Sequence, residues 1–136
     1  MAALADTNVL VYRFDPRLLA TELLRPGLVE DSVRLPYQAV VEFVAAVSRP
    51  LDRGRPLLSA DDARREAEEL LRQFVVLYPS EAVLRTAIRG WATYGFGWFD
   101  ASLWAYAEEN GLEELWSEDF QHDRLYGTVR VVNPFR

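Results

Sequence analysis

Along the chain, short apolar runs alternate with amphipathic stretches, and turn-forming residues separate them. Ala2 to Ala5 is an apolar run ending at Asp6-Thr7-Asn8. Val9-Leu10-Val11-Tyr12 then continues as helix or strand, because so short a run does not separate the two periods. Leu18 to Leu24 predicts a helix stopped by Pro26-Gly27, and Val33 to Leu35 a short strand ended by Pro36. Tyr37 to Ser48 reads as a helix closed by Arg49-Pro50, and Leu51 to Leu58, with Arg53, Gly54, Arg55 and Pro56, has loop composition. Ser59 caps a helix that carries Asp61 and Asp62 in its first turn and runs to Gln73. The unbroken apolar character of Phe74 to Tyr78 predicts a buried strand. Pro79-Ser80 opens a helix to Tyr94, which Gly95-Phe96-Gly97 breaks. Asp100 starts a helix ended by Asn110-Gly111, and Leu115-Trp116-Ser117 and Thr128 to Val132 are short strands. Strands alternating with helices imply an α/β fold with a mostly parallel sheet.

The 136 residues form one domain, 1–136, without repeats, low-complexity tracts or long linkers. A chain of this length buries roughly two thirds of its unfolded surface, so its core needs no disulfide or structural metal. Gly90 to Ala107 carries a single charge, Asp100, which raises the question of a membrane helix. Glycines in mid-span and a central aspartate costing about 3 kcal/mol on insertion argue against one. The segment before Asp6 has no basic n-region, so no signal peptide is expected. The absence of cysteine is compatible with a reducing cytoplasm, the expected location.

Composition narrows the chemistry. With no Cys and only His122, thiolate zinc sites, Cys nucleophiles and multi-histidine metal sites are excluded, so any metal is held by oxygen. All 15 cationic side chains are Arg, which rules out a Walker-A, Schiff-base or general-base lysine. The net charge of −6 argues against nucleic-acid binding through a general basic surface.

The acids in apolar settings are the informative ones. Glu42 lies within the apolar run Ala39 to Val47 and is expected to be substantially buried with a cation, a hydrogen-bond network or a proton. Asp100 sits in Trp98-Phe99-Asp100-Ala101-Ser102-Leu103-Trp104, where an N-cap role competes with a functional one. Asp6 and Asp119 follow strands, where turn roles compete. In a parallel sheet such positions face one edge, and the crevice at a reversal of strand order is where sites form. Glu42 and Asp100 would approach it from flanking helices. Two carboxylates about 4 Å apart repel by roughly 4 kcal/mol at an effective dielectric of 20. Oxygen-only ligation of Mg²⁺ or Mn²⁺ resolves that conflict and suits phosphodiester chemistry.

Asp6-Thr7-Asn8-Val9-Leu10, Gln38 with Glu42, Phe99-Asp100-Ala101, Ser117-Glu118-Asp119-Phe120 and Val131-Val132-Asn133-Pro134-Phe135 together resemble PIN-domain ribonucleases. The likeness spans the chain and is nearest to the VapC-type toxins of toxin–antitoxin modules. It implies a PIN-like three-layer sandwich with a mostly parallel five-stranded sheet flanked by helices. It further implies an Mg²⁺- or Mn²⁺-dependent endoribonuclease leaving 5′-phosphate and 3′-hydroxyl ends. Asp6, Glu42, Asp100 and Asp119 occupy the acidic positions. The resemblance makes Asp6 and Asp100 direct ligands, lets Glu42 and Asp119 act directly or through water, and gives Thr7 and Ser117 supporting roles. The partners it implies are RNA, a cognate antitoxin and a second copy of the chain in a homodimer. The glycine-rich, aromatic approach Gly95-Phe96-Gly97-Trp98 departs from the pattern.

Arg13, Arg49 and the Arg53/Arg55 loop are candidate phosphate contacts that compete with plain solvated arginine. His122 is expected at the surface, and Trp91, Trp98 and Trp104 in the core or at a dimer surface. Glu108-Glu109 and Glu113-Glu114 read as a solvated edge. A catalytically silent PIN-like binding module and a housekeeping RNA-processing nuclease stand as alternatives. A phospho-acceptor receiver or aspartate-nucleophile phosphohydrolase is disfavoured by the missing lysine.

Overall fold

The N-terminal apolar run is short because it forms an interior strand, β1 (Ala3–Ala5), buried along its whole length. Its residues alternate between faces, Leu4 joining one core and Ala5 the other. In the computed structural model, which describes residues 2–12, 33–50, 54–118, 120 and 123–133, β1 pairs in parallel with β2 (Val33–Pro36) and β4 (Glu114–Trp116). β3 (Val75–Leu77) lies outside β2, and β6 (Val129–Val132) outside β4, both parallel. A two-residue strand, β5 (Leu125–Tyr126), adds antiparallel to β6, giving the order β3-β2-β1-β4-β6-β5. The expected five parallel strands are present, and β5 is a sixth that sequence periodicity is too short to reveal.

The stretch after Asp6 is helical, α1 (Thr7–Tyr12), which settles the ambiguity of Val9 to Tyr12. The helix over Tyr37–Ser48, α2, has its expected bounds and buries Ala39, Phe43 and Val47. Helix α3 (Ala60–Gln73) begins where Ser59 Oγ accepts from the backbone N–H of Asp62 at 3.1 Å. Helix α4 (Glu81–Tyr94) is capped by Ser80 in the same way at 3.2 Å and ends at Gly95 in the left-handed region, φ 70°. Helix α5 covers Trp98–Glu109. The helix predicted over Leu18 to Leu24 lies outside the described residues.

Two apolar clusters fill the space on either side of the sheet. Leu4, Leu115, Val129 and Val131 pack with α4 and α5, whereas Ala5, Val33 and Leu35 pack with Val9, Phe43, Val47 and Leu70 from α1, α2 and α3. That is a helix–sheet–helix sandwich. Phe74 to Tyr78 is not the buried strand expected: β3 is an edge strand with Val75 exposed. Among the described residues no helix is long and apolar enough to cross a membrane, and Gly90 to Ala107 is divided between α4 and α5.

Candidate active site

The strand order reverses at β1. From β1 the chain crosses to β2 and β3 on one side, then returns to β4 on the other. The crevice at the carboxyl ends of β1 and β4 is therefore the topological switch point of the sheet. Asp6 and Ser117, the residues that follow these two strands, meet there. The backbone N–H of Asp6 donates to the Trp116 carbonyl at 3.0 Å, and Ser117 Oγ donates to Asp6 Oδ2 at 2.8 Å. Asp6 Oδ1 accepts from the Thr7 N–H at 2.6 Å. Both side chains are buried, Ser117 fully and Asp6 with 7% exposure. Each oxygen of the carboxylate thus has a donor, which stabilises its ionised form and fixes its plane.

Glu42 reaches the same place from α2, its Oε2 accepting from Thr7 Oγ1 at 3.1 Å. It is exposed rather than buried, contrary to the expectation from its apolar neighbours. The physical reason lies in the helix: only Ala39, Phe43 and Val47 form its inward face, while Val41 stands 50% exposed. Ala45 and Ala46, at i+3 and i+4, and the polar Gln38 at i−4 line the walls of an open cleft instead of closing over the acid. Asp100 is half-buried and is not the N-cap. Gly97 takes that position without a side-chain cap, and Asp100 sits in the first turn of α5, where the helix dipole favours a carboxylate.

Two adjoining cavities share Asp6 and Glu42. One, of about 520 Å³, is lined by Asp6, Gln38, Glu42, Phe99, Asp100 and Leu103. The other, of about 410 Å³, is lined by residues including Asp6, Thr7, Glu42 and Arg49. The structure therefore brings Asp6, Glu42 and Asp100 onto one cavity, with Thr7 and Arg49 on the adjoining one and Ser117 buried behind Asp6. Asp119, Arg13, Arg53 and His122 lie outside the described residues, and Arg55 is exposed in its loop. Among the described residues, no three His, Cys, Asp or Glu side chains are grouped so as to hold a metal ion.

The tryptophans divide as follows: Trp104 is core, whereas Trp91 is 52% exposed and meets Trp98 edge-on at 5.4 Å. Glu108 is half-buried instead of belonging to a solvated edge, because its Oε2 accepts from the N–H and Oγ1 of Thr128 and anchors the β5–β6 hairpin. Sequence reasoning passed over Gln38 as a site residue and gave Phe99 no role of its own. Both lie on the cavity wall, and Gln38 Oε1 accepts from Ser102 Oγ at 3.0 Å.

A family model described as the PIN domain matches residues 3–127. The fold is similar to a toxin–antitoxin complex from Klebsiella pneumoniae, with TM-score 0.72 and 18% identity over 94% of this chain and 95% of that one. FitAcB from Neisseria gonorrhoeae superposes with TM-score 0.69 and 23% identity over 97% of each chain. The sarcin–ricin-loop-cleaving toxin VapC20 of Mycobacterium tuberculosis gives TM-score 0.61 and 12% identity over 87% of this chain and 92% of that one. Comparison with curated protein sequences finds no match.

Proposed function

From the premise that this chain belongs to the PIN-domain family, we propose that it is a metal-dependent endoribonuclease, the toxin of a type II toxin–antitoxin pair. The observation that carries this reading is the convergence of Asp6, Glu42 and Asp100 on one cavity at the switch point of the sheet. The toxin half rests on the similarity to the Klebsiella complex, and an RNA substrate on the similarity to the sarcin–ricin-loop-cleaving toxin.

The donor set fits Mg²⁺ or Mn²⁺. It consists of hard oxygens, and Mg²⁺ is commonly bound by one or two carboxylates with water filling the other positions. That requirement is met without a cluster of three acids. Asp6 and Asp100 would hold the ion directly, with Glu42 and Asp119 ligating or acting through water. When bound, the ion supplies positive charge to a phosphodiester and acidity to water. Ser117 and the Thr7 N–H hold the Asp6 carboxylate oriented, and Thr7 Oγ1 fixes Glu42. Arg49, on the rim of the adjoining cavity, draws the phosphate toward the acids. A cytoplasmic location, a homodimer and a cognate antitoxin covering the cleft complete the proposal.

The test is cleavage of cellular RNA by the purified protein with Mg²⁺ or Mn²⁺ and with EDTA. Cleavage is expected only with the metal. Asp6→Asn and Glu42→Gln should each abolish it while leaving the circular dichroism unchanged. Equal cleavage in EDTA would refute the metal mechanism. A protein that binds a partner tightly yet cuts no RNA under any divalent ion is a silent binding module.

A further inference from the structure

Phe99 is the most exposed large apolar side chain among the described residues, at 74%. Its neighbours in sequence are tied into ring contacts, Trp98 with Trp91 and Phe96 with Tyr94, Trp104, Phe120 and Tyr126. Phe99 joins none of these contacts. It lines the acidic cavity instead, beside Asp100 and above the buried Leu103.

Gln38 stands on the same wall. The Ser102 hydroxyl donates to its Oε1 at 3.0 Å, which orients the carboxamide. Its Nε2 makes no hydrogen bond among the described residues, so two amide donors remain for a ligand. A phosphate would have to shed water against Phe99 and Leu103, whereas a nucleobase has a flat apolar face to lay on the ring. The edge of the base carries the carbonyl oxygens and ring nitrogens that an amide recognises.

We propose that Phe99 and Gln38 form a nucleobase subsite of the acidic cavity. The ring stacks on a base of single-stranded RNA next to the bond to be cut, and the amide selects among bases by hydrogen bonding to an acceptor on the base edge. The proposal rests on the nuclease reading above and names how that site takes its substrate. Both residues position the substrate and neither touches the reacting atoms, so KM and cut-site choice should respond more than kcat.

The probe is a fluorescently labelled single-stranded RNA of mixed sequence, cut in Mn²⁺ by wild type, Phe99→Leu, Phe99→Trp and Gln38→Ala. Base–aromatic stacking predicts that Phe99→Leu raises KM roughly 5- to 150-fold with kcat little changed. Phe99→Trp should restore KM to within about threefold of wild type, a rescue that an apolar contact with a protein would not require. Gln38→Ala should redistribute the cut sites mapped by sequencing. Phe99→Leu matching wild type, or Phe99→Trp doing no better than Phe99→Leu, overturns the subsite while the nuclease reading stands. A wild-type protein that cuts no RNA overturns both.

Discussion

Removing the Ser117 hydroxyl tests whether the site is built around an ionised, oriented Asp6. The bond from Ser117 Oγ to Asp6 Oδ2 is 2.8 Å long, and both residues are buried. A hydrogen bond to a charged group contributes about 1.5–3 kcal/mol. Ser117→Ala removes only one oxygen and keeps the backbone N–H that donates to the Val132 carbonyl, so repacking adds little. The expected loss is about 2 kcal/mol in metal-free buffer, which for a chain of this length lowers Tm by roughly 6–10 °C. Asp6→Asn neutralises the acceptor, and against that background Ser117→Ala should cost only about 0.5–1 kcal/mol, leaving about 1 kcal/mol of coupling between the two positions. Urea unfolding of wild type, both single variants and the double variant completes the cycle. In Mn²⁺, Ser117→Ala should cut RNA about 10–100-fold more slowly, as expected when a ligand loses its orienting partner. A stability change under about 0.5 kcal/mol together with no coupling would mean that Asp6 is held by something other than Ser117.

Two further outcomes test the scaffold behind the site. A methyl group at Gly90 of α4 would stand 2.4 Å from Trp104 Cζ3 and 2.7 Å from its Cε3. Trp104 cannot retreat, because its Nε1 donates to the Tyr126 carbonyl at 3.1 Å and Tyr94 and Phe96 pack against its ring. Gly90→Ala should therefore lose about 1–2 kcal/mol net, the overpacking exceeding the gain in helix propensity, and a raised melting temperature would contradict that packing. Tyr106 has its pKa raised above the ordinary value of 10.0, first by burial and then by Tyr37. The folded state therefore holds this proton more tightly than the unfolded chain. Its contribution to stability is complete below about pH 10 and is lost as pH rises through the folded pKa. Urea midpoints should fall on the alkaline side, and less steeply in Tyr106→Phe. An equal slope in the two proteins would assign the loss to other groups.

Local chemistry made much of the fold legible. Ser59 and Ser80 cap their helices as their residue types predict, and Arg49-Pro50 ends α2 where proline must. The errors share a cause: an apolar neighbourhood in sequence is not the same as a closed one in space. Glu42 sits in an apolar run, yet α2 turns part of that surface toward a cleft, and Val75 is apolar on an edge strand. Asp100 could be singled out by its setting but not placed, because Gly97 starts the helix earlier than an aspartate cap would. Contacts across the fold have no local signal at all. Ser117 and Asp6 are 111 residues apart, and Ser102 and Gln38 are 64 apart. The first pair could be anticipated only through the rule that strand ends meet at a switch point. The second had no rule behind it, and it was Phe99 and Gln38 that sequence reasoning overlooked as site residues.

The charge balance also reads differently with the arginines in place. Arg64, Arg65, Arg72 and Arg85 each pair with an acid three or four residues earlier on their own helix, and Arg130 pairs with Asp123. Those cations are answered locally. Arg49 differs: it lines the cavity with Asp6, Thr7 and Glu42, and no ion pair joins it to an acid among the described residues. On the proposed function, attraction for RNA would then arise at the cleft itself. Two divalent ions on the acidic positions would reduce the net charge from −6 to −2, with the whole change at the point where phosphate has to sit. Few phosphate contacts from arginine also mean that binding should vary only shallowly with salt. Under the proposed nuclease function, the same carboxylates that repel RNA when bare would become its anchor when loaded, so affinity and cleavage would depend on one event. An acidic protein that works in this way would avoid holding RNA that it cannot cut.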